Sequence, residues 1–137
     1  MSRIVAIDYG SKRSGIAVTD ELKMIASGLT TVDTKVLLTW LKDYCAKEDV
    51  DLFIIGEPKR MHGQSSAIEG DIQVFIQKLQ QQLPSVEIKR MDERFTSKMA
   101  FDVMLASGIS KKKRRDKKLV DQISATIILQ DYLHYHT

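Results

Sequence analysis

The sequence predicts an α/β domain built on five strands, and three observations carry that expectation. Short β-branched runs and runs with apolar residues three and four apart alternate along the chain in the order βββαβαβαα. The segment Asp51 to Ile55 (DLFII) is apolar without alternation, as a strand covered on both faces requires. At 137 residues, 43% hydrophobic and 28% charged, the chain fits one domain, residues 1–137, with a core of ordinary composition and no room for a second.

Arg3 to Ile7 and Gly15 to Val18 form the first two strands, rich in Ile and Val, and Gly10 and Ser11 between them suit the turn of a hairpin. Met24 to Val32 supplies a third strand, with Gly28 as a bulge or a point of close approach. From Thr34 the period changes. Val36, Leu37, Trp40, Leu41, Tyr44 and Cys45 mark a helix with one buried face, capped by Asp33 or Thr34, and Trp40 and Tyr44 belong to that face. The strand Asp51 to Ile55 stops at Gly56-Glu57-Pro58, and a loop follows. Ile68, Ile72, Phe75, Ile76, Leu79 and Leu83 then trace a second helix closed by Pro84. Val86 to Met91 is a further strand. Thr96 and Ser97 open a helix through Met99, Val103, Met104 and Leu105 that Gly108 stops, and the last helix carries Leu119 to Leu133.

The single cysteine, Cys45, makes no internal disulfide and no multi-cysteine zinc site, and the start Met1-Ser2-Arg3-Ile4 lacks a signal-peptide pattern, so a reducing cytoplasm is expected. No apolar run nears the ~18 to 20 residues that cross a bilayer, which excludes a helical membrane span. The net charge of +3 is unevenly placed. Lys111 to Lys118 (KKKRRDKK) holds seven basic residues and one acid, leaving 14 basic against 17 acidic elsewhere. A mildly acidic body with one dense basic run reads as a polyanion contact. A solvated linker is the plainer alternative.

Three acids stand where an α/β sheet places its chemistry: Asp8 and Glu93 at strand ends, and Asp121 on the first turns of the last helix among core-facing residues. Converging carboxylates repel one another unless divalent cations sit between them, and oxygen ligands suit Mg²⁺ or Mn²⁺. Ordinary solvation at strand ends accounts for the same residues. Asp20 and Asp92 are alternatives for the third acid. His62, His134 and His136 come without the cysteine cluster that a zinc site would use.

Residues Asp8 to Asp20 (DYGSKRSGIAVTD) resemble the opening motif of the YqgF (RuvX) family of Holliday-junction-resolvase-like proteins and pre-16S rRNA nucleases. Gly56-Glu57-Pro58 with Gly63 is similar to its glycine-proline loop, Asp92 to Ser97 (DERFTS) to its acidic strand end, and Val120 to Ala125 (VDQISA) to its final helix. The four motifs stand in order across nearly the whole chain. The resemblance implies an RNase H-like fold with a central mixed five-stranded sheet flanked by helices, and Asp8, Glu93 and Asp121 as metal-binding acids serving two-metal phosphodiester hydrolysis.

It also implies nucleic acid as partner: precursor 16S rRNA, or alternatively branched DNA, bound by a monomer or weak homodimer. A non-catalytic RNA-binding module is a third option. Lys12, Arg13 and Arg94 are candidates to grip phosphate, with surface pairing for Lys12 and an internal pair for Arg94 as alternatives. Gly10 and Gly63 either admit a phosphate close to the backbone or only permit turns. Thr96 and Ser97 are better read as caps. Lys111, Lys112, Lys113, Arg114 and Arg115 would hold the nucleic-acid backbone without reading bases. Glu57, where the family commonly has an apolar residue, and Ser124, where alanine is usual, are departures.

Overall fold

The computed structural model describes residues 2–57, 68–92 and 117–136. Arg3–Asp8 (β1), Arg13–Thr19 (β2) and Ala26–Asp33 (β3) form an antiparallel meander. A single 3₁₀ turn, Thr34–Val36, leads into Leu37–Lys47 (α1), followed by Val50–Glu57 (β4), Ile68–Gln82 (α2), Glu87–Asp92 (β5) and Lys117–His136 (α3). The sheet order is β3-β2-β1-β4-β5, with β4 parallel to both β1 and β5. This is the mixed five-stranded sheet that the family resemblance implies. The segment expected as a helix from Thr96 to Leu105 lies outside the described residues.

The strands sort their side chains onto two cores. Val5, Ile7, Ile16, Val18, Phe53 and Ile55 face α1 and α2, meeting Leu37, Leu41, Ile72, Phe75 and Leu79. Ile4, Ala6, Ala17, Leu52 and Ile54 face α3, meeting Ala125, Ile128, Leu129 and Tyr132. β4 is therefore covered on both sides, which is why its sequence shows no alternation. On the α3 side the small residues Ala6, Ala17 and Ala125 let the helix approach the sheet, while Ile128 and Leu129, at 1% and 0% exposure, each contribute about 1.5–3 kcal/mol of burial.

Two local expectations are corrected. Neither Asp33 nor Thr34 caps α1 through its side chain. The Thr34 hydroxyl is instead spent on the loop after β1. The bulge in β3 falls at Leu29, because Ile16 pairs with Thr30 and Ala17 with Gly28, whereas Gly28 itself is the close approach: a β-carbon there would stand 3.0 Å from the Thr126 hydroxyl of α3. Trp40 and Tyr44 stack with ring centroids 5.2 Å apart at the margin of the α1 core. Cys45 is half-buried beside them, and burial pushes its thiol pKa up.

Candidate active site

β1 is the middle strand, and its last residue is Asp8. Ile4 and Ala6 point at α3, so the two-residue period of the strand puts the Asp8 side chain on that face. Directly opposite Asp8 on β2 is Gly15. A β-carbon on Gly15 would overlap the carbonyl of Asp121, so the backbone of α3 rests on the sheet at this point. Glycine is required here because any side chain would meet that helix backbone. On the other side Gly56 stands one residue beyond Ile55, as Asp8 stands one beyond Ile7, its pairing partner. Asp8 is thus flanked by two residues without side chains, and Asp121 is carried to its immediate neighbourhood.

Arg13 shares the face of Gly15, two residues earlier. Its Nε donates to Asp121 Oδ2 at 3.2 Å, with the two side chains 30% and 24% exposed. Sequence reasoning read Arg13 only as a phosphate grip; the structure gives it this carboxylate partner 108 residues away. Lys12 is exposed at the rim, in a depression of about 280 Å³ shared with Ser11, Asp33 and Lys35.

The loop joining Asp8 to Arg13 is held by hydroxyls that sequence reasoning passed over. Thr34 Oγ1 donates to the Gly10 carbonyl at 2.6 Å and lies 2.8 Å from Ser14 Oγ, and the Gly10 N–H donates to Ser14 Oγ at 3.3 Å. The Thr34 N–H donates to the Lys12 carbonyl at 2.9 Å. A β-carbon at Gly10 would run into the Arg13 carbonyl, so the tight turn itself demands glycine there. Ser14 is fully buried on the strand face it shares with Ile16 and Val18, and a buried hydroxyl needs partners. That was the available signal.

The alternative third acids separate cleanly. Asp20 follows the far end of β2, roughly 16 Å from the level of Asp8 at the strand rise. Its carboxylate accepts from the N–H groups of Leu22, Met24 and Ile25 at 2.8–3.2 Å, and these bonds, Ile25 foremost, hold its pKa below the usual carboxylate range. It closes a turn. Asp92, two and four residues beyond Arg90 and Ile88, shares their face toward the α1 and α2 layer and so belongs to the opposite side of the sheet from Asp8. Glu57, paired with Asp92 across the strands, shares that side and not the face of Asp8. Among the described residues no three His, Cys, Asp or Glu side chains lie close enough to hold a metal ion. Glu93, Arg94, Gly63 and Lys111 to Arg115 lie outside the described residues.

Behind the site is a clamp that the sequence did not reveal. Arg90 forms a two-pronged pair with Glu69, both bonds 2.8 Å, and also donates to the carbonyls of Ile55 at 3.2 Å and Gly56 at 2.9 Å. It ties the carboxyl end of β4 to the first turn of α2. Arg90's hydrogen bonds, ahead of the opposing effect of burial, hold the Glu69 carboxyl below its ordinary pKa.

A mixed five-stranded sheet, with an acid ending its middle strand and a second delivered by a helix seated on a glycine, defines a domain of the RNase H-like class. The architecture aligns over 100% of this chain and 98% of Thermus thermophilus RuvC, solved in complex with a Holliday junction substrate, with a TM-score of 0.60 and 13% identity. Residues 2–135 match the RuvX family, described as Holliday junction resolvase, and the chain belongs to this family of nucleases. Relatives in Flavobacterium johnsoniae (58% identical over 133 residues, 97% of this chain and 96% of the relative) and Porphyromonas gingivalis (55% over 133 residues, 97% and 96%) are both named "Putative pre-16S rRNA nuclease". So is one in Christiangramia forsetii, 57% identical over 134 residues covering 98% of this chain and 99% of the relative.

Proposed function

We propose that this protein hydrolyses phosphodiester bonds near the 5′ end of precursor 16S rRNA in the cytoplasm, using divalent cations held by Asp8, Asp121 and Glu93. The observation that carries this reading is the seating of α3 on Gly15, which brings Asp121 beside the residue paired with Asp8. The donor set fits Mg²⁺ or Mn²⁺, because it is made of hard carboxylate oxygens and partly open to solvent. Glu93 is assigned by its place in the family motif, one residue after Asp92. Divalent ions bound there supply activation of the attacking water and neutralisation of charge on the phosphoryl transition state.

The chain's own residues position the substrate. The Arg13 guanidinium offsets the carboxylate charge at Asp121 and stands within reach of a phosphate entering beside it. Lys12, at the exposed rim, offers a second cation to the same backbone, and Arg94 and Lys111 to Arg115 a third group. Gly63 belongs to the loop expected to border the substrate. Because phosphates are gripped and bases are not read, shape selects the RNA.

The test is cleavage of precursor 16S rRNA and of a four-way DNA junction by the wild type and Asp8→Asn, with Mg²⁺, Mn²⁺ or chelator. RNA trimming that needs metal and is lost in Asp8→Asn is the expected result. Cutting of the junction alone would reassign the substrate, and light scattering would then be expected to show a symmetric dimer. Activity unaffected by the substitution would dismiss the reading.

A further inference from the structure

We infer that a groove on the opposite face of the sheet from Asp121 binds one nucleotide of a single-stranded RNA flank adjoining the scissile phosphate; this rests on the nuclease reading above. Tyr9 follows Asp8 in the chain, and strand alternation turns it toward α1 and α2, where its ring meets Phe75 with centroids 5.3 Å apart. Tyr9, half-buried, and the edge of Phe75, only 7% exposed, reach the wall of a groove of about 440 Å³ between the start of α1 and α2. That volume lies in the range of small-ligand sites, ~300–1,000 Å³. Val74, 51% exposed, extends the apolar wall, and Lys35 and Lys78 stand exposed at its rim. Ser11 and Lys35 also line the depression that holds Lys12. Lys12, Lys35 and Lys78, with Asp33 among them, therefore lead from the loop after Asp8 into a groove walled by Tyr9, Leu38 and Val74.

That combination is what a single strand requires: lysines spaced along the backbone, and apolar or aromatic surface to receive a base whose faces are exposed. Asp71, exposed on the same groove, adds an acceptor for a ribose 2′-hydroxyl, which favours RNA over DNA. Duplex RNA, with its bases stacked inside, cannot use such a wall.

The experiment uses the full chain carrying Asp8→Asn, so that RNA is bound without being cut, and two fluorescent RNA hairpins, one with a five-nucleotide single-stranded flank and one blunt. Val74→Glu and Lys78→Glu, singly and together, alter exposed positions of α2 and leave the core untouched. The expected result is tighter binding of the flanked hairpin, an affinity about tenfold lower for it in the double variant, and unchanged affinity for the blunt one. Crosslinking of a 4-thiouridine in the flank to the peptide carrying Tyr9 or Phe75 would give independent support. Equal affinity of the double variant and its parent for flanked RNA would overturn the proposal. Flank-dependent binding with no metal-dependent cleavage by the unsubstituted chain would instead discard the nuclease reading and keep the groove.

Discussion

Gly15→Ala tests whether the contact between α3 and β2 sets the position of Asp121. The added β-carbon would overlap the Asp121 carbonyl and stand 3.0 Å from the Gln122 nitrogen. Both obstacles are backbone, so no rotamer change relieves them, and reaching an ordinary C···O separation requires α3 to withdraw by more than ~1 Å. Overpacking of this kind costs about 1–3 kcal/mol, which for a chain of 137 residues lowers Tm by roughly 3–10 °C. The same ~1 Å displacement carries the Asp121 carboxylate away from Asp8, and misplacement on that scale is expected to slow cleavage about 100-fold. Thermal melts combined with single-turnover cleavage at a temperature where the variant remains folded would measure the two effects separately. Gly28→Ala provides the control, because its nearest obstacle is the Thr126 hydroxyl, a side chain that gives way at the cost of its bond to the Gln122 carbonyl, and a loss of about 1 kcal/mol with near-normal activity is expected. A Gly15→Ala protein with wild-type Tm and wild-type rate would refute the seating argument.

Gly70→Ala is expected to stabilise by about 0.5–1 kcal/mol, since a β-carbon at this α2 position meets nothing within 4 Å; urea denaturation at neutral pH would show it. Arg90→Met should cost about 2 kcal/mol by stranding Glu69, whose side chain is 19% exposed. The folded-state pKa of Glu69 is depressed, so this contribution is present above the unfolded carboxylate pKa and fades as pH falls through the lower folded value; urea midpoints of wild type and Glu69→Gln should converge in acid, and a constant gap down to pH 3 would contradict the assignment. Arg13→Gln removes the cation beside Asp121, so Mg²⁺ or Mn²⁺ should raise its Tm more than that of the wild type, and an equal shift would argue against bound divalent ions. Neutralising Lys111 to Arg115 should weaken RNA binding and flatten the slope of log affinity against log salt by about 0.7–0.9 for each phosphate no longer neutralised, with the melt unchanged.

Where a feature depends on local pattern, the sequence showed it: the first three strands, the hairpin of the first two, the buried β4, and Asp8 at a strand end all follow from runs a few residues long. Which acid belongs with Asp8 was harder to see. Asp20 and Asp92 sit as close to strand ends as Asp8 does, and only the register, which sends Asp20 to the far end and Asp92 to the other face, separates them. The pairs that shape the site join distant positions, Arg13 with Asp121 and Thr34 with Gly10, and no periodicity encodes partners 108 and 24 residues apart. Ser14 and Arg90 did leave a trace, as polar residues on strand faces that should be apolar, yet naming their partners needed coordinates.

One helix serves two masters here. α3 closes an entire hydrophobic layer and also brings an acid to the sheet, and it is synthesised after all five strands. A ribosome-bound chain lacking this segment exposes the apolar side of its sheet and has no Asp121, so under the proposed metal-site reading competence to cut arrives only with the protection of that surface. In the finished protein the coupling runs the other way. If Asp121 holds metal as proposed, a partial opening that lifts α3 while the α1 and α2 layer holds would disarm the enzyme before it unfolds it.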